Sequence, residues 1–395
     1  LASDMTSQTM PPPASARGIT ARDVLAMGVS GLVGLGLGYL MLLVVNFGIE
    51  LMWETIPSNW ESTPLWYVYG VLVGAAVLVY VIRRYVGDDG HSPLAGIKIT
   101  ALTPREYVGA ILAILVSLFG GAVLGPEVAL VATGSVVGGL AVRWLKASGT
   151  KSAERIVKMG AFGAILALFA GPLLSGSLDL GKASASVDFN AIGWAVLVSV
   201  IAAVAATIAR VLGFLVARSS GSGPNLKVLV GAALIIGTVA VLMEYGTGQQ
   251  VIYVVTSGEQ LITELPKISS VATVVAIIIF KTIAYAVSLG SGFRGGPFFP
   301  GMFVGAASGL LISLTLPEGP TVTSAMAVGV VAAVVATAPM KWWVVIVIGV
   351  GVGFAMGGWT LIPAAVVGAV VARLIPRWGD RLKRPETLSE PNVSG

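Results

Sequence analysis

Two stretches decide the fold: Leu124-Gly-Pro-Glu-Val-Ala-Leu-Val-Ala-Thr-Gly134 and Gly296-Pro-Phe-Phe-Pro-Gly-Met-Phe-Val-Gly-Ala306. Each contains a Gly-Pro pair, Gly125-Pro126 or Gly296-Pro297, and continues as an apolar run in which glycine recurs. A second proline follows in a later apolar run, at Pro172 and Pro339, 46 and 42 residues after the proline of each pair. Paired Gly/Pro interruptions at matching places in two halves of a chain indicate broken membrane helices around a site at mid-membrane.

The composition indicates a chain that resides in lipid. Of 395 residues, 56% are hydrophobic and 11% are charged, whereas soluble domains have about 45–50% and about 25%. The net charge of +5 is small and scattered, so no nucleic acid partner is expected. The absence of cysteine and the single histidine exclude disulfides, thiolate nucleophiles and multi-histidine metal sites, and we expect no cofactor.

The order of polar and apolar stretches predicts the domain organisation. We expect a disordered cytoplasmic tail over 1–22, a first membrane half over 23–218, a Ser/Gly-rich linker over 219–225, a second membrane half over 226–382 and a cytoplasmic tail over 383–395. Lys and Arg accumulate on one set of connections, which favours the cytoplasm for both termini and an even number of full crossings. A multi-pass protein of the plasma (inner) membrane is therefore predicted.

The Gly-Pro pairs also predict what the broken helices bind. A helix that starts inside the membrane points unpaired N–H groups and a partial positive charge at whatever lies ahead of it, so its natural ligand is an anion. Pro126 and Pro297 suit a helix start because the missing N–H is not needed there. Glu127 falls in the first turn of the first such helix, and an ionisable residue within a span is a functional candidate. The alternative is a side chain that only caps its own helix.

At these residues the sequence resembles the CLC family of chloride channels and chloride/proton antiporters. Gly125-Pro126-Glu127-Val128-Ala129 matches the family's Gly-Arg-Glu-Gly-Pro, and Gly296-Pro297-Phe298-Phe299-Pro300 matches its Gly-Ile-Phe-Ala-Pro. Ser291-Gly-Phe-Arg-Gly-Gly296 resembles the family's Ser-Gly-Ala-Pro-Gly-Gly. The resemblance runs from about Val24 to about Leu382. It implies an all-α polytopic membrane protein with an inverted-repeat CLC-type fold, re-entrant and broken helices, and a homodimer with one anion pathway per subunit.

The resemblance implies roles for particular residues. Glu127 matches the gating glutamate, whose side chain occupies the outer anion site and swings away on protonation, and the amides of Phe298 and Phe299 match groups that hold the anion. Gly125 and Val128 flank the gate and are further candidate anion-binding residues. Two departures matter, since Pro126 replaces an Arg and Pro297 replaces an Ile whose amide hydrogens the family uses. Proline supplies no N–H.

Three further candidates face the anion from the inner side in this comparison. Gly90-His91-Ser92-Pro93 falls where the family has Gly-Ser-Gly-Ile-Pro, so either His91 or Ser92 takes the place of the serine whose hydroxyl touches the central anion. The alternative is that His91 is only a loop residue near the cytoplasmic surface, without contact to an anion. Trp378 falls where the family has its second central hydroxyl, on a tyrosine, and serves equally well as an interfacial aromatic anchor.

Proton coupling is the open question of the sequence. The inward-facing glutamate of the family's antiporters falls by spacing on Gly181 or Lys182, and Asp179 is the nearest carboxylate, so Asp179 and Lys182 are the candidate proton-pathway residues. A passive chloride channel is therefore favoured over chloride/proton or fluoride/proton exchange. Two other classes remain as alternatives: an intramembrane serine hydrolase using Ser291 with His91, and a scaffold or receptor without transport.

Overall fold

A computed structural model of the chain describes residues 19–88, 92–96, 104–145, 149–175, 189–221, 223–316, 319–338 and 340–375. Within these ranges the chain forms twelve α-helices and no strand. The helices are α1 Ala21–Glu50, α2 Leu65–Val81, α3 Pro104–Phe119, α4 Glu127–Trp144, α5 Thr150–Ser175, α6 Phe189–Ser220, α7 Leu226–Thr247, α8 Val271–Gly290, α9 Phe298–Thr315, α10 Val322–Thr337, α11 Trp342–Gly357 and α12 Ile362–Leu374.

Eight helical segments of the described chain are long and apolar enough to cross a membrane. They are Ala21–Asn59, Leu65–Val86, Glu127–Trp144, Ile192–Ser220, Leu226–Thr247, Val271–Gly290, Phe298–Thr315 and Trp342–Thr360. Many large apolar side chains are exposed on the outer faces of these helices, among them Leu32, Phe47 and Trp66. An aqueous surface would not carry so many such side chains, whereas lipid covers them without cost.

The apolar run over residues 110–142 holds two helices instead of one. α3 ends at Phe119 and α4 begins at Glu127, directly after Pro126. The backbone between them is held by other parts of the chain, because Trp53 Nε1 donates to Phe119 O at 2.8 Å and Val123 N donates to Ser288 Oγ at 2.9 Å. Broken backbone is stable at this depth only when protein satisfies its polar groups.

The two broken helices pack in the same way on the helix that follows each of them. Gly134 of α4 and Gly305 of α9 each lie seven residues after the first residue of their helix. A Cβ on Gly134 would lie 2.2 Å from Gly160 O on α5, and a Cβ on Gly305 would lie 2.2 Å from Gly329 O on α10. Backbones therefore touch at both places, as small residues allow in membrane helices, and the packing repeats between the halves.

The turn between α6 and α7 lies in the Ser/Gly-rich stretch of the sequence. α6 ends at Ser220 and α7 begins at Leu226. The Asn225 side chain caps α7 by accepting from Lys227 N at 3.1 Å and Val228 N at 3.4 Å.

Candidate functional site

The starts of α4 and α9 are held face to face by a pair of backbone hydrogen bonds. Gly125 N donates to Gly296 O and Gly296 N donates to Gly125 O, each at 2.7 Å, in an isolated antiparallel bridge. Glycine is required at both positions for space. A Cβ on Gly125 would lie 2.0 Å from Glu127 Oε2, and a Cβ on Gly296 would lie 2.0 Å from Glu127 Cδ. The bridge thus makes room for one carboxyl group between the two helix ends.

Glu127 fills that room. The residue is 2% exposed, and its Oε1 accepts a hydrogen bond from Phe298 N, the first residue of α9, at 2.6 Å. Its Oε2 is buried and accepts no hydrogen bond from the described residues. The sequence analysis gave two interpretations of Glu127: a gate that occupies the anion's site, and a side chain that only caps its own helix. The hydrogen bond from Phe298 N joins Glu127 to α9, where its carboxylate sits as an anion does at a helix N-terminus.

The two prolines precede their helices directly. Pro126 and Pro297 have right-handed helical backbone angles, so the helical path already begins at them while they donate no N–H. The hydroxyl of Tyr285, a fully buried residue of α8, donates to Pro297 O at 2.5 Å. This bond fixes the carbonyl at the entrance to α9, and it orients the Phe298 amide toward Glu127.

The structure describes some of the predicted site residues, and others lie outside the described ranges. Gly125 lies at the site, but its N–H is taken by Gly296 O and is not available to an anion in this conformation. Val128 and Phe299 are buried in the first turns of α4 and α9, where N–H groups have no intrahelical acceptor. Ser92 is half-buried and precedes the short helical turn Pro93–Ala95. His91, Trp378, Asp179 and Lys182 lie outside the described residues.

The structure adds charged residues that the sequence argument missed. Lys281 of α8 is fully buried, and its Nζ donates to Val255 O at 3.1 Å and to Thr256 O at 3.0 Å. Arg210, within α6, is 5% exposed and donates to the carbonyl of Thr337. Both stand alone in apolar runs of the sequence. The sequence therefore allowed both residues to be recognised, because a lone ionisable residue in a membrane span is a functional candidate.

Glu259 lies in the turn between α7 and α8 and is the acidic neighbour of the gate position. Burial, and next the negative charge of Glu127, raise the pKa of Glu259 to about 8, although part of the residue stays accessible. No sequence pattern marks Glu259, since it sits in a polar connection more than 130 positions from Glu127. Among the described residues, no three His, Cys, Asp or Glu side chains come together as a metal site.

The sequence of the chain matches the model of a known protein family. The family model described as "Voltage gated chloride channel" fits residues 175–377, which is more than half of the chain. The chain belongs to this family. Members of this family are channels and transporters and not enzymes, so anion transport is the general function of the chain and the serine hydrolase alternative is excluded.

Other members and folds agree with this assignment. The chain is 27% identical over 355 residues to "Putative ion-transport protein YfeO" of Escherichia coli, with 76% of this chain and 82% of the relative covered. A slow cyanobacterial Cl⁻/H⁺ antiporter matches at a TM-score of 0.72 and 16% identity, covering 90% of this chain and 94% of that chain. A CLC-type fluoride/proton antiporter matches at 0.59 and 14% identity, covering 91% and 97%. The fold is therefore the CLC fold of a multi-pass integral membrane protein.

Proposed function

We propose that the chain carries chloride, or another small monovalent anion, along a pathway past the N-terminal ends of α4 and α9, with Glu127 as the gate. The hydrogen bond from Phe298 N to Glu127 Oε1 carries this proposal. A carboxylate in that place makes the contact that a bound anion would make. It also blocks the place for as long as it stays there.

Protonation opens the gate in this mechanism. A neutral Glu127 loses its attraction to the positive ends of α4 and α9, and its side chain leaves. An anion then takes its place against the amides of Phe298 and Phe299, with Val128 contributing from α4. Gly125 and Gly296 contribute space in place of donors.

Binding at this place is expected to be weaker than in relatives with a full set of amides. Pro126 and Pro297 each remove one N–H from the helix starts. A lost hydrogen bond to a charged group costs about 1.5–3 kcal/mol. Rapid passage with weak binding suits a channel, since conduction requires that an ion leave as easily as it enters.

A passive channel is accordingly favoured over proton-coupled exchange. The main support is the sequence, in which the inner proton glutamate of the family's antiporters is replaced by Gly181 or Lys182 and only Asp179 lies near. Chloride/proton or fluoride/proton exchange is the alternative, because solved antiporters share the fold. We further propose a homodimer with one pathway per subunit, in the inner membrane, with both termini cytoplasmic.

The inner end of the pathway is assigned to His91 or Ser92. Each would donate a hydrogen bond to the central anion, and a protonated His91 would add charge. We expect that His91→Ala or Ser92→Ala will raise the chloride concentration needed for half-maximal flux. Flux measured against chloride concentration checks this, and unchanged concentration dependence in both variants would contradict it. Trp378→Phe, which removes the indole N–H, tests the other candidate donor in the same assay.

Crossed gradients in proteoliposomes separate the two transport modes. The reversal potential is measured under a chloride gradient, first at equal pH and then with a pH gradient added. A channel predicts a potential that follows the chloride gradient alone. A shift with the pH gradient would replace the channel by an exchanger, and the absence of any chloride current would overturn anion transport by this pathway.

A further inference from the structure

The connection between α7 and α8 packs on both elements that enclose the gate. Its segment 256–261, named here the outer turn, lies on the side predicted to face away from the cytoplasm. Thr256 N donates to Gly121 O at 3.1 Å, in the loop that leads into α4. A Cβ on Gly258 would lie 2.8 Å from Phe303 Cδ2 on α9. The outer turn is therefore fixed to the entrance of α4 and to α9.

Lys281 of α8 fixes the same turn from a third side. Its Nζ donates to Val255 O at 3.1 Å and to Thr256 O at 3.0 Å, and it lies 4.7 Å from the centre of the Phe303 ring. Thr256 has a left-handed backbone conformation, with φ at 62°, which a β-branched residue rarely adopts. Surroundings that hold such a conformation keep the backbone rigid.

Glu259 is carried by the outer turn and lines a cleft between this turn and α1. On the α1 side the cleft is lined by Val45, Asn46 and Ile49. Glu259 is the only titratable side chain among the described residues that line the cleft. The residue stays partly accessible, and no hydrogen bond from the described residues reaches its carboxyl group. A carboxyl group in this position can exchange protons with the solution in the cleft.

Two charged groups face Glu259 from the elements around it. Glu127 of α4 is close enough for its negative charge to act on Glu259. Lys281 Nζ would lie 3.1 Å from a Cβ on the preceding Gly258, but it is bound to two backbone carbonyls. α1 and α9 bring no titratable side chain to the cleft. Burial, and next the charge of Glu127, raise the pKa of Glu259 to about 8, so it holds a proton at neutral pH.

The gate needs a partner for proton exchange, because Glu127 opens the pathway by gaining a proton. The hydrogen bond to its Oε1 comes from the backbone amide of Phe298, which is no proton source. The hydroxyl of Tyr285 is bound to Pro297 O. Among the described residues, Glu259 is the carboxyl group that both interacts with Glu127 and lines the outer cleft.

We propose that Glu259 passes protons between the outer solution and Glu127. This inference rests on the proposed function, in which protonation of Glu127 opens the gate. Glu259 gives up its proton and becomes a carboxylate, while Glu127 takes up a proton and becomes a neutral acid. Glu259 then regains a proton from the outer solution. The gate should therefore respond faster to acid on the outer face than it would without the Glu259 carboxyl group.

The onset of chloride efflux after a step to acid pH tests this proposal. Right-side-out and inside-out membrane vesicles expose opposite faces of the full chain, so each face can be acidified separately. The onset is measured relative to the final efflux rate of the same variant. Glu259→Gln should slow the onset at least about tenfold, a modest share of what a positioned proton-transfer group contributes. The slowing is expected for acid on the outer face and not for acid on the cytoplasmic face.

Two further variants serve as controls. Glu259→Asp keeps a carboxyl group and should recover most of the onset rate, while Glu61→Gln, at an exposed carboxylate, should follow the parent. Equal onset in Glu259→Gln and the parent would overturn the proposal and leave Glu127 as the gate. Equal slowing from both faces would indicate a structural defect and would also overturn it. A parent without pH-dependent chloride efflux would overturn the proposed function, and this inference with it.

A measurement on the unsubstituted chain keeps the proposal testable if a variant does not fold. Dicyclohexylcarbodiimide reacts with carboxyl groups that are protonated and lie in apolar surroundings. Mass spectrometry after treatment of right-side-out vesicles at neutral pH should find the label on Glu259 and not on the exposed Glu61. Glu259 without label would show that its carboxyl group holds no proton there, and would overturn the proposal.

Discussion

The carboxyl group of Glu127 reaches Phe298 N only because Gly296 has no side chain. A Cβ on Gly296 would lie 2.0 Å from Glu127 Cδ. We expect Gly296→Ala to push the carboxylate off the α9 amide, so that chloride efflux at neutral pH rises toward the rate at acid pH. Efflux from proteoliposomes checks this. Gly139→Ala, on the same helix as Glu127 but with open space around it, is the control. An unaltered pH dependence of Gly296→Ala would contradict the close contact.

The raised pKa of Glu259 predicts that the stability of the folded chain falls as pH rises. Its pKa lies at about 8 in the folded chain, against an ordinary value of 4.5, because of burial and next because of Glu127. As pH rises from about 5 to about 8, the unfolded chain releases a proton that the folded chain retains, so stability falls. We expect Glu259→Gln to remove this part of the fall. Thermal unfolding in detergent across that window checks it.

The matched control for this experiment is Glu61→Gln, at an exposed carboxylate. Its unfolding midpoints should follow the parent across the same range. Parallel curves for Glu259→Gln and the parent would mean that the carboxyl group of Glu259 is not held protonated by its surroundings.

The broken helices are the elements on which both halves depend, and close glycine contacts hold each of them against the helix that follows. Gly305 and Gly329 meet backbone to backbone, so a methyl group on Gly305 cannot be accommodated by a side-chain rotation. We expect Gly305→Ala to destabilise the fold by about 1–3 kcal/mol, the usual cost of overpacking. Thermal unfolding checks this. Gly351→Ala in α11, with open space around it, should not destabilise the fold, because alanine favours the helix over glycine. An equal loss in both variants would contradict this explanation.

The sequence predicted these elements better than it predicted their contacts. A Gly-Pro pair inside an apolar run indicates either a kink or a helix start within the membrane, the repetition of the pair in both halves favours the helix start, and α4 and α9 begin directly after Pro126 and Pro297. Which amide receives Glu127 depends on a partner 171 residues away. Asp88 and Arg294 are likewise 206 residues apart. The local sequence pattern does not predict such pairs, because only the folded chain brings the two residues of each pair together.

At the scale of the whole molecule, the bridge between Gly125 and Gly296 joins the two helix starts from opposite halves of the chain, and the carboxylate lies beside it. The membrane assignment was predictable from composition, since so few charges cannot cover a soluble surface. Arg210, Lys281 and Arg294 can be recognised in the sequence as single charged residues among apolar residues and glycines. Their partners are backbone carbonyls and one distant aspartate, and neither kind of partner leaves a pattern in the sequence.

The central claim is that Glu127 occupies the anion's place and leaves when protonated. Chloride efflux from proteoliposomes is measured across a pH series for the parent, Glu127→Gln and the control Glu61→Gln. We predict efflux that rises as pH falls for the parent and the control, and efflux that is high and independent of pH for Glu127→Gln. The same pH dependence in the parent and in Glu127→Gln would contradict it.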